Sequence, residues 1–75
     1  MLKIPEQVVV VGNTIASELM DATIAKSLAG TGCNLCFSIT NYTPKFQDLI
    51  IAYLNGEIDS VTAIYIAMKR EEEQL

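Results

Sequence analysis

The chain has 75 residues, of which nine are acidic, five are basic and none is histidine, and 51% are hydrophobic. A chain of this length forms one domain, residues 1–75, and is too short to bury so many apolar side chains alone, so we expect a second copy or a partner to cover them. Five scattered cations and a net charge of −4 argue against nucleic-acid binding, and short apolar runs argue against a membrane span, so we predict a cytoplasmic protein that binds neither nucleic acid nor membrane.

The first two predicted elements are a strand and a helix. Residues 7–12, QVVVVG, place four consecutive valines before a glycine, which is typical of a short buried strand. Asn13 or Thr14 can cap the helix that follows. Helix-forming residues then continue for about four turns until Gly30 and Gly32 end the helix.

The next predicted elements are a second strand and two more helices. Residues 35–42, LCFSITNY, alternate apolar and polar side chains, which predicts a strand. Thr43 as N-cap and Pro44 at the first helical position predict a second helix that ends at Gly56. A third helix follows over residues 57–75, with Asp59 or Glu57 near its positive end.

These elements predict an α+β fold with the order β-α-β-α-α in a single domain. A sheet of two strands is marginally stable alone and leaves open edges, so we expect oligomerisation to complete it. The alternative is a mostly α-helical chain in which residues 6–29 form one long helix.

The first helix carries two apolar faces, although the surface helix of a small monomer needs only one. At 100° per residue, one face holds Ile15, Leu19, Ala22 and Ala29, and a nearly opposite face holds Met20, Ile24 and Leu28. We predict that Met20, Ile24 and Leu28 form an interface with a second copy or a target. The alternative is that the third helix folds over this second face. The third helix has a predicted core stripe of its own, formed by Ile58, Val61, Ile64, Tyr65 and Met68.

Cys33 and Cys36 are the only cysteines and form a C-x-x-C motif. A redox motif of this kind needs its first thiol at a helix N-terminus, whereas the residues after Cys36 predict a strand. A zinc site needs four ligands, so two chains would have to share it. We therefore predict that both cysteines are structural and that alanine at either position preserves assembly and function. The alternative is an intersubunit metal site, and we expect no cofactor.

Polar residues near the predicted turns offer a second kind of site. The turn after the valine run can present backbone N–H groups to a phosphate, although neither a Walker A nor a dinucleotide-binding motif is present. If copies assemble, pockets between them can hold a small ligand such as a nucleotide. The candidate ligand-binding residues are Asn13, Thr14, Thr31, Asn34, Asn41 and Tyr42.

The sequence offers little for catalysis. It has no histidine to serve as a general base. Glu18 and Asp21 lie three residues apart on the first helix and could share a metal, but acidic pairs of this kind more often lie on a helix face exposed to solvent. We therefore predict a non-catalytic binding protein that self-associates and acts stoichiometrically as a regulator or inhibitor of a protein target. Small proteins carried by phages and other mobile elements act in this way. The alternative is an oligomeric protein that binds or sequesters a small ligand.

Overall fold

The computed structural model describes residues 3–32 and 37–75. Helix α1 covers Glu6–Gly30, α2 covers Gln47–Leu54 and α3 covers Ser60–Gln74, and two 3-10 turns cover Ile39–Asn41 and Pro44–Phe46. No strand is present in the described ranges. The predicted α+β fold with the order β-α-β-α-α is therefore wrong, and the alternative of a mostly α-helical chain fits the structure.

The valine run that predicted a strand forms the first turns of α1. A valine in a helix costs only about 0.5 kcal/mol relative to alanine, which a modest amount of burial offsets. The helix places Val8 and Val11 in line with Ile15 and Leu19, at spacings of three and four residues, and all four are buried. Burying a valine side chain contributes about 1.5 kcal/mol or more, so packing outweighs the β-preference of the run.

Gly12, predicted to end the strand, lies inside α1 at a close approach to α3. A Cβ atom on Gly12 would lie 2.8 Å from the Sδ atom of Met68. The glycine therefore makes room for a neighbouring helix instead of ending an element. The end of α1 is as predicted, because the helix stops at Gly30 and Gly32 adopts a φ of +107°.

Replacing Val10 by alanine tests the helical state of this segment. Val10 is exposed on α1, so we expect Val10→Ala to raise the free energy of unfolding by about 0.5 kcal/mol through helix propensity. In a strand the same change would lower it, because alanine is a poor strand former. Urea denaturation measures the sign. Val11→Ala, at the adjacent buried position, should destabilise the protein.

The second and third predicted helices are present. Thr43 precedes the 3-10 turn that leads into α2, and Gly56 follows α2 with a φ of +79°. At the start of α3, the Asp59 Oδ1 atom accepts a hydrogen bond from the Thr62 backbone N–H at 2.7 Å. This hydrogen bond lowers the pKa of the Asp59 carboxyl. The second predicted strand is absent from its described part, residues 37–42, which instead contain a 3-10 turn.

Helix α3 runs antiparallel to α1 and packs on it through small side chains. Ala63 and Ala67 are fully buried, whereas Val61 and Tyr65 are exposed. The predicted core stripe of the third helix is therefore wrong for Val61 and Tyr65, whereas Ile58 and Ile64 are partly buried against the core. Alanine lets the two helix axes come close together, and this close approach leaves the larger residues of α3 at the edge or on the outside. The core combines Val11, Ile15, Leu19, Ala22, Tyr42, Phe46, Leu49, Ile50, Ala63 and Ala67.

Two ion pairs near the surface link the second 3-10 turn and the start of α2 to the end of α3. The Arg70 guanidinium donates to both Asp48 carboxylate oxygens, from Nη1 at 3.2 Å and Nη2 at 2.9 Å. The Lys45 Nζ atom lies 3.1 Å from Glu71 Oε1. The hydrogen bonds from Arg70 lower the pKa of the Asp48 carboxyl. Exposed pairs of this kind contribute only about 0–1 kcal/mol each, so the buried residues dominate the stability.

The molecule is elongated, with dimensions of 49 × 20 × 16 Å and a radius of gyration of 13.4 Å. A compact domain of this length has a radius of gyration of about 11 Å. The solvent-accessible surface is 5211 Å², whereas a monomer of this mass typically exposes about 4500 Å². The single chain therefore leaves more surface uncovered than is usual for its size.

Candidate functional site

The second apolar face of α1 is exposed. Met20, Ile24 and Leu28 have 68%, 56% and 48% of their surface accessible. Their spacing of four residues makes one row about 12 Å long, which we term the α1 ridge. The third helix does not cover these side chains, contrary to the alternative considered from the sequence.

A groove runs between α1 and α3 beside the α1 ridge. Its volume is about 390 Å³, and its lining is Ala16, Leu19, Met20, Thr23, Ile24, Tyr53, Ser60 and Ile64. The small side chains of Ala16 and Ser60 keep the groove open, while Met20 and Ile64 stand on its two walls. On the α3 side, helical spacing places Ile64 in one stripe with the exposed Val61 and Tyr65. The apolar surface therefore continues from α1 onto α3.

Glu18 and Asp21 hold the chain segment that leads into α2. The Glu18 carboxylate accepts two hydrogen bonds from Thr43, one from the backbone N–H at 3.0 Å and one from the hydroxyl at 2.6 Å. Asp21 Oδ2 accepts a hydrogen bond from the Tyr42 hydroxyl at 2.7 Å. A carboxylate at the start of a helix also interacts favourably with the helix dipole. These hydrogen bonds give the acidic pair a structural role. In residues 3–32 and 37–75, no group of three or more metal-binding side chains occurs.

The hydroxyl of Tyr42 is expected to ionise late in an alkaline titration. Burial, followed by the hydrogen bond to Asp21, raises the pKa of Tyr42 to about 12 from a usual value of 10.0. The neutral phenol therefore stabilises the fold fully below about pH 10, and this stabilisation is lost as the pH rises toward about 12. Absorbance at 295 nm should show a step near pH 12 that disappears in Tyr42→Phe. A variant with an unchanged titration curve would contradict the assigned hydrogen bond.

Two further contacts fasten the end of α2 to α1. The Lys26 ammonium donates to the Leu54 carbonyl oxygen at 2.6 Å, and the hydroxyls of Thr23 and Tyr53 are 2.9 Å apart. Tyr53 also lines the groove between α1 and α3. These contacts hold the part of α1 that carries the α1 ridge against the end of α2.

The six candidate ligand-binding residues are dispersed in one copy of the chain. Asn13 and Thr14 are exposed on α1, and Thr31 lies about 25 Å further along the helix axis. The Thr14 and Thr31 hydroxyls donate to the carbonyl oxygens of Val10 and Leu28.

The remaining candidates lie apart from these. Asn41 is exposed in a 3-10 turn, Tyr42 is buried, and Asn34 lies outside the described residues, as do Cys33 and Cys36. A ligand pocket built from these positions requires several copies of the chain, and the sequence-based hypothesis stays a prediction.

Comparison of the chain with protein-family models, with curated proteins and with solved structures finds no match.

Helix α1 meets the length and composition criteria for a membrane span. Core helices of soluble proteins and signal sequences also meet these criteria. The length of unbroken apolar runs does not reveal this property. Polar residues interrupt the runs in α1, but the average hydropathy of the helix stays high enough to meet the criteria. The cytoplasmic location stays a prediction.

Proposed function

We propose that this chain is a small, acidic, non-catalytic binding protein that self-associates through the α1 ridge and acts stoichiometrically on a protein target. The observation that carries the proposal is the exposure of Met20, Ile24 and Leu28 in one row. Water contact with a continuous row of large apolar side chains is unfavourable, so a partner that covers the row gains the free energy of their burial.

The surroundings of the ridge support the same proposal. The groove beside the ridge is open and apolar, and it is also lined by Tyr53 of α2 and Ile64 of α3. Tyrosine and methionine are enriched in the centres of protein interfaces, where they provide large contact area. A surface of this composition fits a protein partner better than a small polar ligand.

Light scattering on the purified protein at low micromolar concentration tests the self-association. We expect a mass of at least twice 8.2 kDa. A monomer at that concentration would contradict the proposal. Native mass spectrometry of the same sample separates the two function classes, because a small molecule retained in the assembly would support the ligand-binding alternative.

A further inference from the structure

We propose that the groove between α1 and α3 binds a neutral amphipathic small molecule. The aliphatic part of the ligand lies between the two helices, and a hydroxyl or amide N–H group of the ligand donates a hydrogen bond to the Tyr53 oxygen. This site goes beyond the proposed function and does not depend on self-association. Its lining also contains none of the six ligand-binding candidates that the sequence suggested.

The groove has the size and composition of a small-ligand site. Its volume of about 390 Å³ lies near the lower end of the usual range, which is about 300–1,000 Å³. Such sites combine apolar walls with a few polar groups that orient the ligand. An aliphatic chain that enters the groove leaves water and gains the free energy of its burial. The apolar part of the lining comes from α1 and α3 and consists of Ala16, Leu19, Met20, Ile24 and Ile64.

The polar groups of the groove are three hydroxyls, which belong to Thr23, Tyr53 and Ser60. The hydrogen bonds fix the proton positions of two of them. The Thr23 hydroxyl donates its single proton to the Leu19 carbonyl oxygen at 2.9 Å. In the 2.9 Å hydrogen bond between Thr23 and Tyr53, the Tyr53 hydroxyl is therefore the donor. The Tyr53 oxygen then has no proton left to donate and can only accept.

This arrangement selects the polar group of the ligand. A carboxylate can only accept hydrogen bonds, so it finds no donor in Tyr53. Lys26 lines an adjoining depression together with Thr23 and Tyr53, but its ammonium group donates to the Leu54 carbonyl oxygen at 2.6 Å. The net charge of −4 disfavours an anion, and Lys26 repels an ammonium group on the ligand. A neutral hydrogen-bond donor is the group that fits.

Two probes that differ only in this donor test the site. Octanol and octyl methyl ether share the same aliphatic chain, but only the alcohol donates a hydrogen bond. NMR of ¹³C-labelled methionine methyl groups follows binding at a fixed, low protein concentration, because the groove shares Met20 and Ile24 with the α1 ridge. The Met20 methyl should shift with both probes, whereas Met68 lies outside the lining and should not. We expect the alcohol to bind about fivefold more tightly than the ether, as one added hydrogen bond allows.

Three variants locate the binding and its polar contact. Tyr53→Phe should abolish the preference for the alcohol, because the acceptor is lost while the apolar walls remain. Tyr65→Phe is the matched control, since it removes the hydroxyl of an exposed tyrosine outside the lining, and it should keep the preference. Ala16→Leu should fill the groove and weaken the binding of both probes. Circular dichroism verifies the fold of each variant.

Several outcomes would overturn the inference. Equal affinity of the wild-type protein for the alcohol and the ether would show that the Tyr53 oxygen does not select the ligand. Tighter binding of octanoate would assign the recognition to Lys26 instead. A Met20 methyl that shifts with neither probe would show that the groove is not a ligand site. Each of these results leaves the proposed function untouched, because light scattering measures self-association separately.

Discussion

An Ile50→Ala variant is expected to lose about 2–5 kcal/mol of its free energy of unfolding. The Ile50 side chain is fully buried in the core, where residues of α1, α2 and α3 meet. Alanine removes apolar contacts and leaves a cavity that the surrounding helices fill only in part. A chain of this length has a total stability of about 4–11 kcal/mol, so the loss should lower the Tm by about 10 °C or more.

The neighbouring residue supplies a matched control for this loss. Ile51 lies on the same helix and is 44% exposed, so Ile51→Ala should cost less than about 1 kcal/mol. Both variants are measured by thermal or urea denaturation at one fixed protein concentration, because self-association links stability to concentration. Equal losses at the two positions would show that α2 does not pack as described.

An Ile24→Lys variant is expected to remain helical and to lose self-association by at least about tenfold. Ile24 is 56% exposed, so the single chain tolerates a lysine at this position. In an assembly that covers the α1 ridge, the ammonium group would be buried opposite apolar side chains without a counter-charge, and this burial is strongly unfavourable. Circular dichroism reports the helix content, and sedimentation reports the mass across a concentration series.

The matched control for the charge is Ile51→Lys, which makes the same substitution at an exposed isoleucine of α2 outside the ridge. This variant should keep the assembly. Dissociation of both variants would indicate a general effect of charge instead of a local interface. Unfolding of Ile24→Lys would place the ridge in the core of the single chain.

The local signals in the second half of the sequence predict the structure well. Thr43, Pro44 and Gly56 mark the limits of the segment that contains α2, and Asp59 caps α3 through its own side chain. The Asp59 cap and the Gly56 turn depend on a hydrogen bond and a backbone angle within a few residues, so the local sequence contains all the groups involved. Thr43 differs, because its hydroxyl and backbone N–H donate to Glu18 of α1 and its side chain does not cap the helix.

The first half of the fold depends on tertiary contacts that local signals do not contain. Four valines favour a strand by propensity, but the stripe of Val8, Val11, Ile15 and Leu19 continues with helical spacing across Gly12. The contact of Gly12 with Met68 joins residues 56 positions apart in the chain. Propensity therefore misplaced the first element, whereas the longer periodic pattern supported the alternative.

The candidate surface could also be predicted from the sequence only in part. Helical spacing alone separates the ridge of Met20, Ile24 and Leu28 from the core face of α1, and the structure leaves this ridge exposed. On α3 the same method is wrong for two residues that it assigns to the core, although Ile58 and Ile64 do pack against the core. The close packing of α3 on α1 uses Ala63 and Ala67 instead and leaves Val61 and Tyr65 outside. In the sequence, the two alanines four residues apart are the feature that indicates this close packing of helices.

The accessibility of the Met20 methyl group tests most directly whether the α1 ridge is the surface of self-association. NMR of protein with ¹³C-labelled methionine methyl groups measures this accessibility through line broadening by a soluble paramagnetic probe. The Met20 methyl should be accessible in dilute protein, become shielded as the concentration rises, and stay accessible at every concentration in Ile24→Lys. A Met20 methyl that remains equally accessible in the assembled wild-type protein would contradict the account.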